Sequence, residues 1–220
     1  MAVICPTVTA TDLHQFREQM ERVSAFAGRV HIDLMDGHLA PTVSPPIDHI
    51  WWPDNIVADL HVMYKWPLEH LSTLLHLRPN LVIVQAEAEG NFLHLARALH
   101  QEGIRAGVSL LPQTEPSIVE QALGYIDHVL IFSGDLGKYG GHADLNLLRK
   151  VDYIRNKQRG IEIGWDGGIN QENAPKLIEG GVDVLNVGGS IQNANDPSNM
   201  YSVLKAIAEQ QTSIKVRNST

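Results

Sequence analysis

Two short stretches of the sequence place histidine and aspartate among apolar residues in an alternating pattern. The stretch HIDLM contains His31 and Asp33, and the stretch DLHVM contains His61. Because successive strand residues point to opposite sides of a sheet, His31 and Asp33 share one face of their strand. Imidazole and carboxylate groups are ligands that divalent transition metals accept. The candidate ligands are His31, Asp33, His61 and, in the later stretch GWDGG, Asp166.

Short β-branched segments alternate with helical segments along the whole chain, and this pattern must position the candidate ligands. Eight segments read as strands, and most precede a helix, which predicts a parallel sheet covered by helices. Eight units in 220 residues fit a single-domain α/β fold, the (β/α)8 TIM barrel. We assign residues 1–214 to this barrel and 215–220 to a frayed C-terminal tail. The runner-up is an open doubly wound sheet, but the first turn, CPTVTATD, lacks its glycine-rich sequence.

A barrel would bring the four candidate ligands to one mouth, because active sites of this fold lie where strands end and βα loops begin. Two imidazoles and two carboxylates suit zinc, iron, cobalt or manganese, and we favour zinc. We therefore expect one divalent transition metal per chain. The competing interpretation is that each residue is a buried structural group with a hydrogen-bonding partner. That interpretation accounts for one such residue more easily than for four on three strands.

Glycine-rich turns follow the last three predicted strands: GKYGG, DGGI and VGGS. Glycines allow backbone amides to approach an anion, and a phosphate site near strands seven and eight is common in barrels. The sequence therefore predicts a phosphate site, to which Lys138 could add positive charge. Its expected residues are Gly140, Gly141, Gly167, Gly168, Gly189 and Ser190.

Composition and charge restrict the classes of partner. A formal net charge of −8 argues against binding to nucleic acid or to anionic membranes, although it permits a small anionic ligand. The single cysteine, Cys5, cannot form an intrachain disulfide, which fits a reducing compartment. The first residues contain no basic leader followed by a long apolar run. We expect a cytoplasmic homo-oligomer, with Trp51 and Trp52 as a candidate contact surface.

Taken together, these motifs resemble those of the ribulose-phosphate 3-epimerase family over nearly the whole chain. CPTVTATDL resembles the first strand of that family, HIDLMDGHLAP its second-strand signature and DLHVM its third strand. GVSLLPQTEP is similar to the fifth-strand segment, and GKYGG, WDGGI and GGS occupy the places of the glycine phosphate loops. HIDLMDG, DLHVM and DGGI are specific in combination, whereas any one of them alone would not be.

The resemblance implies metal-assisted epimerisation at C3 of a phosphorylated ketose, most simply D-ribulose 5-phosphate to D-xylulose 5-phosphate. It implies that His31, Asp33, His61 and Asp166 hold the metal. Asp33 and Asp166 would also form the acid–base pair on opposite faces of the substrate, because inversion needs proton removal on one face and return on the other. A cation beside the ketone oxygen would stabilise the enediolate that forms in between.

Supporting roles also follow from the resemblance. Thr7 stands where the family usually has serine and would contact the substrate. Met35 and Met63 would line the pocket, with core packing as the alternative role. Asp36 and Asp59 would orient the metal-binding histidines.

Departures from the family pattern leave other activities open. Leu111-Pro112 replaces a typical Asn-Pro, and GDLGKYGGH replaces the usual loop after strand six. A 3-epimerase of allulose 6-phosphate, or of another ketose phosphate, is therefore an alternative. A lyase of the related phosphate-binding barrels would need a lysine in the third strand, but Lys65 lies beyond its end. A third alternative is a barrel that binds a metabolite without turnover.

Overall fold

The computed structural model of the protein describes residues 2–138 and 141–218. In these ranges eight parallel strands form a closed barrel, in which each strand pairs with its chain neighbours and the last pairs with the first. The predicted single-domain (β/α)8 TIM barrel is confirmed, and the open sheet is excluded. The strands are β1 (Val3–Thr9), β2 (Arg29–Met35), β3 (Val57–Met63), β4 (Leu81–Gln85), β5 (Arg105–Leu110), β6 (His128–Phe132), β7 (Glu162–Asp166) and β8 (Val184–Val187).

Helices cover the outside of the barrel. The α-helices are α1 (Leu13–Ser24), α2 (Leu71–Leu77), α3 (Phe92–Gln101), α4 (Leu148–Lys157), α5 (Ala174–Glu179), α6 (Gly189–Gln192) and α7 (Pro197–Asn218). More tightly wound 3-10 helices occupy Ile47–His49, Pro67–His70, Pro116–Tyr125 and Leu145–Leu147. None of the helices in the described ranges has the combined length and hydropathy needed to cross a bilayer.

One boundary extends beyond what the sequence suggests. Helix α7 continues to Asn218, past residue 214 where we end the barrel domain; residues 219 and 220 lie outside the described ranges. The domain boundary stays a prediction. The homo-oligomer also stays a prediction; Trp51, in its candidate contact surface, is 41% exposed.

The alternation of β2 has the predicted consequence for packing. Ile32 and Leu34 are fully buried in an apolar cluster that also contains Phe16, Met20 and Val23 of α1. Their burial between sheet and helix stabilises the fold by roughly 2 kcal/mol per side chain. It also turns the polar residues of the same strand towards the barrel axis.

Charged residues close the opposite end of the barrel, where the strands begin. Arg29 Nε donates to Asp59 Oδ2 at 2.7 Å, and its guanidinium also contacts Glu162 at 3.0 Å. Arg105 and His128 contact the same Glu162 carboxylate at 3.0 and 2.8 Å. Burial lowers the pKa of His128. We call these five residues the floor network, and its satisfied charges separate the barrel interior from solvent below.

Candidate active site

Four polar side chains meet at the mouth of the barrel, where the strands end. Register places Asp33 of β2 beside His61 of β3, and closure of the barrel brings β7 round towards them. One ligand atom of each residue lies within 4.8 Å of the others, and all four residues are buried. We call this set the metal cluster: His31, Asp33, His61 and Asp166. The structure thus brings together all four residues that the sequence singled out.

Both imidazoles present one nitrogen to the two carboxylates. His31 Nε2 lies 3.4 Å from Asp33 Oδ1 and 3.5 Å from Asp166 Oδ2. His61 Nδ1 lies 3.0 Å from Asp33 Oδ1 and 4.0 Å from Asp166 Oδ2. Within the described residues, neither ring nitrogen of buried His31 has a properly directed hydrogen bond. Two nitrogens and two carboxylate oxygens at such distances, with the His31 ring unpaired, fit a divalent transition metal.

Electrostatic interactions within the metal cluster favour the charged forms of both Asp33 and His31. Burial raises the pKa of a carboxyl, yet the His31 and His61 rings hold the pKa of Asp33 well below its usual range. Burial lowers the pKa of a histidine, but the carboxylates of Asp166 and Asp33 raise the pKa of His31 to about 10. Asp33 is therefore ionised near neutral pH. A metal entering the cluster must displace the proton of His31, because only the neutral ring binds metal.

The residues that orient the metal cluster differ from those expected. Thr9 Oγ1 donates to Asp33 Oδ2 at 2.5 Å. The amide nitrogen of Gln85 lies 2.8 Å from His61 Nε2. Neither residue is among the candidates from sequence, although inward alternation along β1 and β4 would have pointed to both.

The expectation that Asp36 and Asp59 orient the histidines is wrong. Asp59 Oδ1 accepts from the side-chain amide of Asn80 at 2.7 Å, and its other oxygen binds Arg29 in the floor network. Asp36 accepts backbone N–H groups of its own turn and of Lys65, the latter at 2.7 Å. Asp59 therefore stabilises the floor network and Asp36 stabilises loops. Each carboxylate lies at a different position along its strand from the histidine.

A cavity of about 300 Å³ opens above the metal cluster. Expected residues that line it are Thr7, Asp33, Lys138, Gly141, Asp166, Gly167, Gly168, Gly189 and Ser190. Polar residues of the lining that sequence reasoning missed are Thr9, Asn170, Asn186 and Asn193, and Phe132 adds an apolar wall. Gly140, also expected there, lies outside the described residues. The cavity thus joins two carboxylates of the cluster to the glycine loops after β6, β7 and β8.

Met35 and Met63 occupy the mouth without forming part of the described cavity lining. They are buried in a small apolar cluster with Ala40, against which Leu136 packs. Thr42 Oγ1 approaches Met35 Sδ at 2.9 Å and donates to the Gly137 carbonyl at 3.2 Å. Packing between the loops after β2 and β6 is therefore their observed role, and substrate contact stays a prediction.

Two of the expected phosphate glycines are required by the chain's own backbone. Gly167 has φ +105°, and a Cβ there would lie 2.0 Å from the Ser133 carbonyl oxygen. At Gly168, with φ +69°, a Cβ would lie 2.2 Å from the amide nitrogen of Ala143. The loops after β6 and β7 therefore pack directly against each other. Ser190 Oγ donates to the Ile169 carbonyl, so its contact with phosphate also stays a prediction.

Comparison with known proteins identifies the family. The model of the ribulose-phosphate 3 epimerase family matches residues 3–192, which include every strand of the barrel. The chain belongs to the ribulose-phosphate 3-epimerase family. The predictions of the family and of an isomerase acting on carbohydrates are therefore confirmed.

Relatives of this family member cover almost its whole length. It is 26% identical over 215 residues to the ribulose-phosphate 3-epimerase of Bacillus subtilis, covering 93% of this chain and 99% of that protein. It is 29% identical over 216 residues to the chloroplastic ribulose-5-phosphate-3-epimerase of Arabidopsis thaliana, covering 93% of this chain and 76% of that protein. The metal cluster and the described cavity lining, apart from Asn193, fall within the range that the family model matches.

Solved structures extend the likeness of this family member to other barrels. A crystal structure of 3-hexulose-6-phosphate synthase superposes with a TM-score of 0.68 at 18% identity, covering 94% of this chain and 99% of the other. The orotidine 5'-phosphate decarboxylase of Pyrococcus horikoshii gives a TM-score of 0.68 at 14% identity, with the same coverage. At such identities the likeness shows a shared barrel fold and nothing about chemistry.

One further residue of this family member was missed from its sequence. Asn186 of β8 is 2% exposed and lines the cavity, next in register to Asp166. Within the described ranges its amide makes no hydrogen bond through either polar atom. A buried amide of this kind is costly unless a ligand or water pairs with it. The signal was present, because an inward asparagine lies near the end of β8 beside a candidate ligand.

Proposed function

We propose that the protein is a metal-dependent 3-epimerase that interconverts D-ribulose 5-phosphate and D-xylulose 5-phosphate. The observation that carries this proposal is the pair of carboxylates, Asp33 and Asp166, which come from separate strands and both line the cavity. Family membership supports the substrate, because the matched relatives are named for this reaction. His31 and His61 complete the proposed metal site.

One carboxylate would remove the proton from one face of C3, and the other would return a proton to the opposite face. Asp33 is ionised and Thr9 fixes its Oδ2, so its carboxylate is suited to accept the proton. Asp166 would then deliver a proton to the opposite face, and the two exchange roles in the reverse reaction. A divalent cation held by the cluster supplies positive charge where the substrate oxygens become negative. Burial of the four cluster residues strengthens each of these electrostatic interactions.

The phosphate of the substrate would bind at the other end of the cavity. Gly141, Gly168 and Gly189 present backbone there, and Ser190 adds a hydroxyl. Lys138 is the single cationic side chain among the described residues of the lining. A dianionic phosphate needs such a counter-charge in a protein whose net charge is −8.

Lys138→Gln is expected to raise KM for the phosphorylated ketose by about 5- to 10-fold and to leave kcat nearly unchanged. The lysine would attract the phosphate equally before and during proton transfer, so its loss weakens binding alone. Steady-state kinetics measure the effect. Lys65→Gln is the matched control, since Lys65 pairs with Glu89 at 3.2 Å outside the described cavity lining. Equal KM values for both variants would contradict a role of Lys138 in phosphate binding.

The position of Lys65 argues against the lyase alternative. A barrel lyase that acts through a third-strand lysine requires its ammonium beside the substrate. Lys65 instead pairs with Glu89 and lies 4.7 Å from the centre of the Trp66 ring. Inward positions of β3 hold Asp59, His61 and Met63 in place of such a cation.

NMR detection of C3 epimerisation tests the proposed function. Purified protein is incubated with D-ribulose 5-phosphate and, separately, with D-allulose 6-phosphate, each with and without a chelator. We expect conversion of D-ribulose 5-phosphate to D-xylulose 5-phosphate that the chelator abolishes. Faster turnover of D-allulose 6-phosphate would identify that hexulose phosphate as the preferred substrate. Absence of C3 proton exchange with every phosphorylated ketose would refute the proposal.

A further inference from the structure

The contact between Gln85 and His61 is mismatched to metal binding through the other ring nitrogen of His61. Gln85 ends β4, is 2% exposed, and places its side-chain nitrogen 2.8 Å from His61 Nε2. An amide nitrogen only donates, so Nε2 must accept and the ring proton must sit on Nδ1. Nδ1, however, is the atom that faces Asp33 and Asp166. A ring protonated at that nitrogen has no lone pair to offer a metal.

A half-turn of the Gln85 amide removes this mismatch. The nitrogen and oxygen of an amide exchange places on rotation of the last side-chain bond, with almost no change in shape. The oxygen, Oε1, is at present buried with no hydrogen-bonding partner among the described residues. Turned towards His61, it would accept a proton from Nε2–H. The neutral ring would then carry its lone pair on Nδ1, directed at the carboxylates.

We propose that Gln85 is a positioning residue that selects the metal-binding tautomer of His61 by presenting its amide oxygen to Nε2–H. The inference rests on the proposed role of His61 as a metal ligand. A neutral amide performs this task without adding charge, so two aspartates balance one divalent cation. Histidines that bind metals commonly donate their second N–H to such an oxygen, which fixes the ring and increases its basicity.

Two near-isosteric variants test the proposal through metal affinity. Gln85→Met removes the acceptor, whereas Gln85→Glu retains an acceptor, loses the N–H donor and adds a negative charge. We expect Gln85→Met to weaken zinc binding by about 10- to 100-fold and Gln85→Glu to bind zinc at least as tightly as the unmodified protein. Competition with a chromophoric chelator measures the dissociation constants. Unfolding midpoints of the metal-free proteins show whether each variant is folded.

Nitrogen-15 NMR of the zinc-loaded, unmodified protein provides a readout that needs no variant. The His61 ring is expected to carry its proton on Nε2 and to bind zinc through Nδ1. Zinc bound through Nε2, unchanged affinity in Gln85→Met, or equal losses in both variants would overturn the proposal. A folded protein that binds no divalent transition metal would overturn the metal-dependent function as well. Normal binding with an indifferent Gln85 would overturn this inference alone.

Discussion

Asp33→Asn and Asp166→Asn are each expected to lower kcat for epimerisation by roughly 10³-fold or more. A positioned acid or base contributes roughly 10² to 10⁴ in rate, and each of these carboxylates is also a proposed metal ligand. The two residues lie on different strands, β2 and β7, so each should serve one face of the substrate. Coupled assays of D-xylulose 5-phosphate formation measure the loss.

The two aspartate variants should differ in which epimer they still recognise. A variant that lacks one carboxylate can still exchange the C3 hydrogen that faces the other. We therefore expect each metal-loaded variant to incorporate deuterium from D2O into a single epimer, and the opposite one in the two cases. Asp12→Asn is the matched control, because Asp12 caps α1 by accepting from Gln15 N–H and asparagine caps equally well. Exchange into both epimers by either variant would contradict one acid–base group per face.

Removal of the metal is expected to abolish activity and to lower the thermal unfolding midpoint together. At a free metal concentration about 1,000 times Kd, binding stabilises a folded protein by about 4 kcal/mol. For a chain of this size, that corresponds to a shift of Tm on the order of 10 °C. Dialysis against a chelator, followed by zinc, iron, cobalt or manganese, measures both the loss and the recovery. His31→Asn should resemble the dialysed protein, whereas His76→Asn on the exposed face of α2 should not.

Metal affinity should also depend on pH in a defined direction. The pKa of His31 without metal is raised to about 10, so a proton competes with the metal throughout the neutral range. As pH falls below that value, affinity should decrease by about tenfold per pH unit for each proton displaced. Chelator competition at pH 7 and pH 8 measures the slope. A pH-independent affinity, or full activity in the metal-free protein, would contradict the proposed site.

Alternation within a strand was predictable from sequence, but height along the barrel axis was not. His31, Asp33 and His61 could be chosen because strand residues alternate between faces. Asp59 passed the same test, yet it lies two residues before His61 and hence roughly 7 Å nearer the floor. There it pairs with Arg29. The pairing partner of an inward carboxylate depends on strand register, which a single sequence does not specify.

Amides escaped the sequence analysis for a chemical reason. Gln85 is the last residue of β4 and Asn186 is the last but one of β8, and both side chains face inward. Neither is a usual metal ligand or acid–base group, so a survey for such groups passes over them. Their importance appears only when burial and hydrogen-bonding partners are known. Gly167 and Gly168 were assigned to phosphate from their position after β7. They line the cavity, and glycine is also required there because an added Cβ would meet the neighbouring loop.

An apolar layer lies between the two ends of the barrel interior. Leu81, Ile83 and Leu130 pack together inside it, and on β6 Leu130 stands between His128 of the floor network and Phe132 of the cavity. Polar groups at the two ends therefore share no hydrogen-bonding partner within the described residues. Substitutions at one end should be energetically additive with those at the other. Substitutions that alter the chemistry of the mouth during evolution can thus accumulate without compensating changes in the floor network.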